Sequence, residues 1–151
     1  MRSIKLAAAV ALLGFGSAFS ALAEELVVKA VITNWEPLVL HAKPGDTIKF
    51  TGMAGHNSES IDGMIPEGAA KWSSKMGEEG FTITVDKPGA YIYKCTPHMT
   101  TGMVGAIVVG DGMPANLAAL DAAVNEVKLG KNMVQRTIKK MKADLEAKGV
   151  K

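Results

Sequence analysis

From Leu26 to Val109 the chain is a series of short β-branched and apolar runs with turn signals between them, one alternating clearly with a period of two, and toward the C-terminus the apolar positions recur at helical spacing. Leu26 to Thr33 is rich in β-branched and apolar residues and predicts a first strand, and Leu38 to Ala42 predicts a second. Asn34-Trp35-Glu36-Pro37 reads as the connection between them. Lys43-Pro44-Gly45-Asp46 then puts Pro and Gly at the two central positions of a type II turn, where glycine supplies the positive φ. Thr47 to Thr51 alternates, with Ile48 and Phe50 on one face. The arrangement recurs downstream as Phe81 to Val85, a turn at Lys87-Pro88-Gly89, and Ala90 to Lys94, which together read as a hairpin. Val104 to Val109 predicts the last strand. Several short strands separated by turn signals predict an all-β fold, a β-sandwich over residues 24–111.

Two further segments read as helical. Pro66 to Met76 reads as a short surface helix. In the tail Leu117, Leu120, Val124 and Val127 recur at helical spacing, Gly130 interrupts, and Val134, Ile138, Met141 and Leu145 resume the pattern. Pro114 and Gly130 sit where helix boundaries would fall, so residues 114–148 predict two C-terminal helices. Their apolar stripe is narrow and their charges are mixed, which suits packing on the sandwich better than a membrane surface.

The N-terminus has a different character. Arg2 and Lys5 precede an apolar stretch from Leu6 to Phe15, and Ala21-Leu22-Ala23 forms a small-residue cleavage site before Glu24. Residues 1–23 therefore read as a signal peptide cleaved after about Ala23, which implies export. A membrane anchor would need about 20 apolar residues, and this run is shorter and broken by Gly14 and Gly16. Cleavage leaves Glu24 to Lys151, enough chain for one packed domain. No membrane insertion is expected after it.

Removing Arg2 and Lys5 also changes the charge. The full chain has 17 basic and 15 acidic residues; the cleaved one has 15 of each. The balance is uneven, with 7 Lys against 11 Asp and Glu from Glu24 to Met113, and 8 basic against 4 acidic residues from Pro114 onward. No basic stripe with interleaved aromatics appears, which argues against nucleic acid as a partner.

Cys95 is the one cysteine in the chain. In an oxidising compartment a lone thiol is buried, paired with another chain or bound to metal. Its neighbours favour metal. Cys95-Thr96-Pro97-His98 is followed by Gly102-Met103, and Gly55-His56-Asn57 supplies a second histidine upstream. One thiolate, two imidazoles and a weak axial thioether are the donors of a blue-copper site and suit an ion that alternates between Cu(I) and Cu(II). His56, Cys95, His98 and Met103 are therefore the candidate metal ligands. Met99 is a poorer axial candidate than Met103, because consecutive residues on an extended loop point apart. His41, in the strand before the Pro44-Gly45 turn, is expected to be exposed and uninvolved. Four protein ligands leave no open position for substrate, so an electron carrier is expected rather than an enzyme. The competing reading is a copper chaperone or storage protein, for which nine methionines offer some footing. A closed four-ligand site with a thiolate would release copper poorly and argues against it.

The ligand segments, together with Glu59-Ser60-Ile61, Met64-Ile65-Pro66-Glu67-Gly68, Lys87-Pro88-Gly89-Ala90-Tyr91, Gly110-Asp111 and Pro114-Ala115-Asn116-Leu117, resemble the pseudoazurins, periplasmic type 1 copper proteins of the cupredoxin family. The resemblance runs from about Glu36 to the C-terminal helices. It implies a cupredoxin-type Greek-key β-sandwich of eight strands with two C-terminal α-helices, one type 1 copper ion per chain, and single-electron transfer in the periplasm. It also implies a monomer that meets periplasmic redox enzymes, with a copper nitrite reductase or another reductase as acceptor and a cytochrome or dehydrogenase as donor. The copper ligands carry over onto His56, Cys95, His98 and Met103, and Asn57 carries over as the residue whose side chain helps hold the ligand loops together. By the same resemblance His98 presents its edge at the surface within an apolar patch formed by Pro97, Met99 and Met53.

Overall fold

The computed structural model describes residues 22–151. The signal peptide expected at residues 1–23 lies outside the described residues except for Leu22 and Ala23. Eight strands form two mixed sheets: β1 (Glu25–Val31), β2 (Asn34–Glu36), β3 (Val39–Ala42), β4 (Asp46–Thr51), β5 (Glu59–Ser60), β6 (Phe81–Val85), β7 (Gly89–Lys94) and β8 (Val104–Val109). The first sheet has the order β2-β1-β4-β6 and the second β3-β8-β7-β5. β1 pairs with β4 in parallel, and β3 with β8 likewise; the remaining ladders are antiparallel. The helices α1 (Leu117–Ala123) and α2 (Lys131–Ala147) follow, with a 3₁₀ turn at Val124–Glu126 between them.

The alternation of the early strands shows which faces are covered. In β4, Ile48 and Phe50 are fully buried while Thr47, Lys49 and Thr51 are not. In β1 the inward residues are Val28 and Ala30. Both strands bury one face only, as expected for an outer sheet. By contrast, every residue of β8 is buried, and so are five of six in β7. Their alternate residues enter different cores. Tyr91, Tyr93, Ile107 and Val109 pack between the sheets with Trp35, Ile48 and Phe50, whereas Ala90, Ile92, Val104, Ala106 and Val108 pack under the helices against Leu120, Val134, Ile138, Met141 and Leu145. The second sheet is thus the middle layer of three. Ala90 and Ala106 on the helix side, against Tyr91, Tyr93 and Ile107 on the other, let α2 lie close to the sheet.

Four local expectations need correcting. The predicted β6–β7 hairpin does not form. β6 pairs with β4 in the outer sheet, and β7 pairs with β8 and β5 in the middle one, so Lys87-Pro88-Gly89 is an arch between sheets. Lys43-Pro44-Gly45 is the same device between β3 and β4, with Gly45 at φ 95° and the Asp46 amide donating to Lys43 O at 3.1 Å. Tyr91 fixes the second arch by donating its hydroxyl to Lys87 O at 2.7 Å, in the manner of a tyrosine corner. Asn34-Trp35-Glu36 is a short strand against β1 and not a mere connection, because it buries Trp35 against Phe50 and Tyr93. The first strand ends at Val31, since Ile32 takes a positive φ of 55° at the hairpin tip. Pro66 to Met76 forms no helix: Ser73 bridges to Glu59, Trp72 exchanges hydrogen bonds with Ser60, and its indole donates to Ser58 Oγ. Those serines compete for the backbone in an extended conformation.

The helical tail agrees with its sequence pattern. Gly130 precedes α2 in the left-handed region at φ 69°, where a Cβ would also press on Met99 Cγ at 3.0 Å. Asn116 accepts the Ala90 amide at 2.9 Å and donates to Ala90 O at 2.8 Å, which ties the start of α1 to β7. Thr137 Oγ1 donates to Val104 O at 3.2 Å and does the same for α2 and β8. His41 differs from expectation. It is half-buried, and its Nε2 donates to the Asp144 carboxylate, a link from β3 to α2.

Candidate metal centre

Two loops at one end of the sandwich converge on the site. One leaves β7 at Cys95, passes through a 3₁₀ turn at Met99–Thr101, and enters β8 after Met103. Its backbone is closed on itself: the Cys95 amide donates to Met103 O at 3.0 Å, the His98 amide to Cys95 O at 3.2 Å, and the Met103 amide to His98 O at 3.0 Å. Cys95, His98 and Met103 are therefore drawn together by the main chain alone. Gly102 turns the chain back at φ 110°, where a side chain would be strained.

The second loop joins β4 to β5 and carries His56. The His56 amide donates to Met53 O at 2.8 Å, and the Gly77 amide donates to His56 O at 2.8 Å. The Glu79 carboxylate accepts the amides of Gly52 at 3.0 Å and Met53 at 2.8 Å. These two bonds hold its carboxyl below the ordinary carboxylate range. Glu79 escaped the sequence reading, because an exposed Glu ahead of a strand carries no local signal of a partner 26 residues away.

Asn57 joins the two loops. Its Oδ1 accepts the Thr96 amide at 2.8 Å, and its Nδ2 donates to Thr96 Oγ1 at 3.1 Å. Asn57 is buried, and Thr96 immediately follows Cys95, so the pair fixes the spacing between the Cys95 and His56 backbones. This is the part that the resemblance assigned to Asn57.

The donor atoms meet at short range. Cys95 Sγ lies 3.6 Å from His56 Nδ1 and 3.5 Å from His98 Nδ1, and the two imidazole nitrogens are 3.2 Å apart. Bonds of about 2.0–2.3 Å to one ion would leave donors roughly 3–4 Å apart, so the triangle is the size one ion would fill. His56 is held below the ordinary histidine range, by burial first and by His98 second, and a neutral imidazole offers its lone pair to a metal. The donor chemistry, thiolate sulfur with two imidazole nitrogens, fits copper. Cys95 and Met103 are fully buried, and His56 is 8 % exposed; His98 alone of the four reaches solvent appreciably.

The two candidate thioethers part company here. Met103 belongs to the core between the sheets, together with Cys95 and Met53, whereas Met99 packs in the core under the helices and against Gly130. The surface around His98 is also different from the expected patch. Pro97 is exposed, but Met99 and Met53 are buried and do not contribute. Their thioethers fill the cores that support the two loops, and Ala54, Gly55, Thr96 and Thr100 are exposed nearby in sequence.

Comparison with known proteins agrees with this geometry. The chain is 46% identical over 90 residues to a pseudoazurin from Paracoccus pantotrophus, covering 59% of this chain and 61% of that protein, a little under two thirds of its length. It is 38% identical over 113 residues to a pseudoazurin from Methylorubrum extorquens, covering 70% and 76%. The solved structure of a pseudoazurin from Sinorhizobium meliloti superposes with a TM-score of 0.69 at 40% identity, covering 82% of this chain and 97% of that one. The two-sheet sandwich with its pair of C-terminal helices is a cupredoxin fold. Residues 24–110, more than half of the chain, match the copper binding proteins of the plastocyanin/azurin family, and the protein belongs to that family.

Proposed function

We propose that this chain is a carrier of single electrons, working in the periplasm as one domain of residues 24–151 after removal of residues 1–23, with one copper ion held by His56, Cys95, His98 and Met103. The observation that carries the reading is the triangle of Cys95 Sγ, His56 Nδ1 and His98 Nδ1, closed to within 3.6 Å and open to solvent on the His98 side alone. Copper supplies a one-electron couple when bound. The protein's own residues do the rest. Cys95 and Met103 lie in the inter-sheet core and keep water from the inner side of the site. Asn57 and Thr96 hold the two loops at a fixed separation, and the Glu79 carboxylate pins the start of the His56 loop. Fixed ligands matter because each ligand movement that accompanies a change of oxidation state slows outer-sphere transfer.

His98 is the exit. Its ring joins the buried donors to solvent, so a partner that docks over Pro97 and His98 comes nearest the metal by that edge. Small, transient contact areas suit rapid turnover between redox partners. We assign the partners to the class of periplasmic redox enzymes, with a copper nitrite reductase or another reductase accepting electrons and a cytochrome or dehydrogenase donating them to the monomeric carrier. The relatives' pseudoazurin names support this class. The closed donor set favours a carrier over a chaperone, which must release its ion, and over an enzyme, which needs an open position.

The test is visible absorption of the Cu(II)-loaded protein before and after a mild reductant. An intense colour that bleaches, returns on reoxidation, and is missing in Cys95→Ser is the expected result. Copper that binds without colour, or is retained only as Cu(I), would hand the site to copper storage.

A further inference from the structure

At the opposite end of β4 from the metal loops lies a buried carboxylate with an incomplete set of partners. Asp46 is 3 % exposed. Its Oδ2 accepts the Lys43 amide at 2.7 Å and its Oδ1 accepts the Glu24 amide at 2.9 Å. Among the described residues no Lys, Arg or His side chain lies within 4.0 Å of it, although the salt bridges elsewhere on the molecule all pair a carboxylate with such a group. A carboxylate taken out of water without a directly paired opposite charge is costly, and two neutral amides offset only part of that cost. Both amides draw its carboxyl below the ordinary range, Glu24 most of all, and the Lys43 ammonium adds a smaller pull from beyond ion-pair distance, so the anion is the form the fold accommodates.

We propose that cutting the Ala23–Glu24 bond supplies a counter-charge in direct contact: the new α-ammonium of Glu24 pairs with Asp46, so that this site is built for the processed N-terminus. Hydrolysis by an endopeptidase consumes one water, leaves a carboxylate on Ala23, and leaves the amino group on Glu24, protonated at neutral pH. The nitrogen that donates to Asp46 Oδ1 then carries a full positive charge. A neutral hydrogen bond becomes a charge-assisted one, and such bonds are about twice as strong.

Two independent features select the same bond. Ala21-Leu22-Ala23 is a small-x-small cleavage pattern that ends at Ala23. The acceptor geometry selects the nitrogen of residue 24, since neighbouring residues are about 3.8 Å apart along the chain and a cut displaced by one would move the charge out of hydrogen-bond reach. Glu24 is also the last residue that the sheet ties down. Its carbonyl accepts the Thr47 amide at 2.9 Å, and β1 begins at the next residue. Processing would thereby fasten the free end of β1 to the β3–β4 arch, where Asp46 opens β4.

The full chain, exported with its leader and loaded with copper, is the first sample. Intact mass and N-terminal sequencing should place Glu24 first; any other first residue in the major species overturns the proposal. Two chains released from a removable fusion, one starting at Glu24 and one at Leu22, are then compared in urea. The unfolding equilibrium constant should be about tenfold smaller for the chain starting at Glu24, since a charged hydrogen bond exceeds a neutral one by roughly a tenfold factor in that constant. That difference should vanish when both carry Asp46→Asn. Equal stability of the two starts, or a difference that survives Asp46→Asn, refutes the pair. Should Asp46→Asn not fold, the α-amino group of the native chain decides. It should titrate at a higher pH in the folded protein than in urea, and identical titration in both states also refutes the pair.

Discussion

Replacing Asn57 by Ala tests whether the two ligand loops are held together by one side chain. The substitution removes two hydrogen bonds to Thr96, the 2.8 Å bond from its amide and the 3.1 Å bond to its hydroxyl. A hydrogen bond contributes a net of about 0.5–1.5 kcal/mol, and a donor left unpaired costs about 1–3 kcal/mol. Thr96 is exposed, so water can reach its hydroxyl, while its amide lies on the Asn57 side of the loop. The low half of each range applies, and the sum is about 2–3 kcal/mol. Thr96→Val leaves the amide bond intact, removes the longer one together with a weak, exposed 3.4 Å bond from the Thr96 hydroxyl to Glu59, and should cost about 1 kcal/mol. Because the Asn57–Thr96 bonds are shared by both variants and the Thr96–Glu59 bond is weak and exposed, the double variant should cost little more than Asn57→Ala alone.

Urea unfolding of the copper-free proteins is the assay, so that loss of metal does not enter the measurement. With a slope of about 1.5–2 kcal/mol/M for a domain of this size, the midpoint should fall by roughly 1–2 M for Asn57→Ala and by about half a molar for Thr96→Val. Asn57→Ala lying within about 0.5 kcal/mol of the native protein would refute the bridge. So would strict additivity of the two single variants, since contacting residues are expected to couple. The copper-loaded Asn57→Ala protein should also lose its visible band faster to a competing chelator, because the separation of Cys95 and His56 is no longer fixed by a side chain.

Gly105 sits opposite Tyr93 in the β7–β8 ladder, and a Cβ there would stand 2.4 Å from Tyr93 Cζ. Gly105→Ala should lower the melting temperature by roughly 10 °C through overpacking of about 3 kcal/mol, and Tyr93→Val in the same chain should recover part of it; a melting temperature unchanged within error would show that the ring simply moves aside. Glu79, whose depressed titration comes from the Met53 and Gly52 amides, stabilises the fold above its ordinary value of 4.5 and loses that contribution as pH falls through its lower folded value. Melting curves across pH should therefore show Glu79→Gln below the native protein at neutrality, with the gap closing below about pH 4.5; a gap independent of pH would remove the charge from the account.

What could be read in the sequence, and what could not, divides along physical lines. The strand segments of β1, β4 and β6 were visible because burial on one face imposes a period of two, those of β3, β7 and β8 as short β-branched or apolar runs bounded by turn signals, and the helices because burial on one stripe imposes their own period. Partnership between strands left no such trace. β6 and β7 look like a hairpin, as any two strands with a Pro-Gly turn between them do, yet they lie in different sheets. The difference is written in β7 itself, whose Ala90-Tyr91-Ile92-Tyr93 run is apolar without alternation. Such a run signals burial on both faces and hence a middle layer, a place that an outer strand like Thr82-Ile83-Thr84 cannot occupy. β2 and β5 were too short to carry a period, and the serines between Ser58 and Ser74 offset the helical spacing of Pro66 to Met76.

The candidate site follows the same logic at closer range. Cys95, His98 and Met103 could be found because they lie within nine residues and bring rare side chains together, and His56 because isolated histidines are few. The choice between Met99 and Met103 rested on loop direction alone, whereas the fold separates them by layer: one supports the loop from the helix side, the other shares the inter-sheet core with Cys95. That division shows how the parts depend on each other. The loop between Cys95 and Met103 bridges two cores, and Gly130, which ends one helical segment and begins the next, is pressed against Met99. The C-terminal helices thus brace the metal loop from behind, while Asn57 and Glu79 brace it and its partner loop from the side. Rigidity at the site is a property of the three-layer packing as much as of the four ligands, and none of those long-range braces leaves a mark in local sequence.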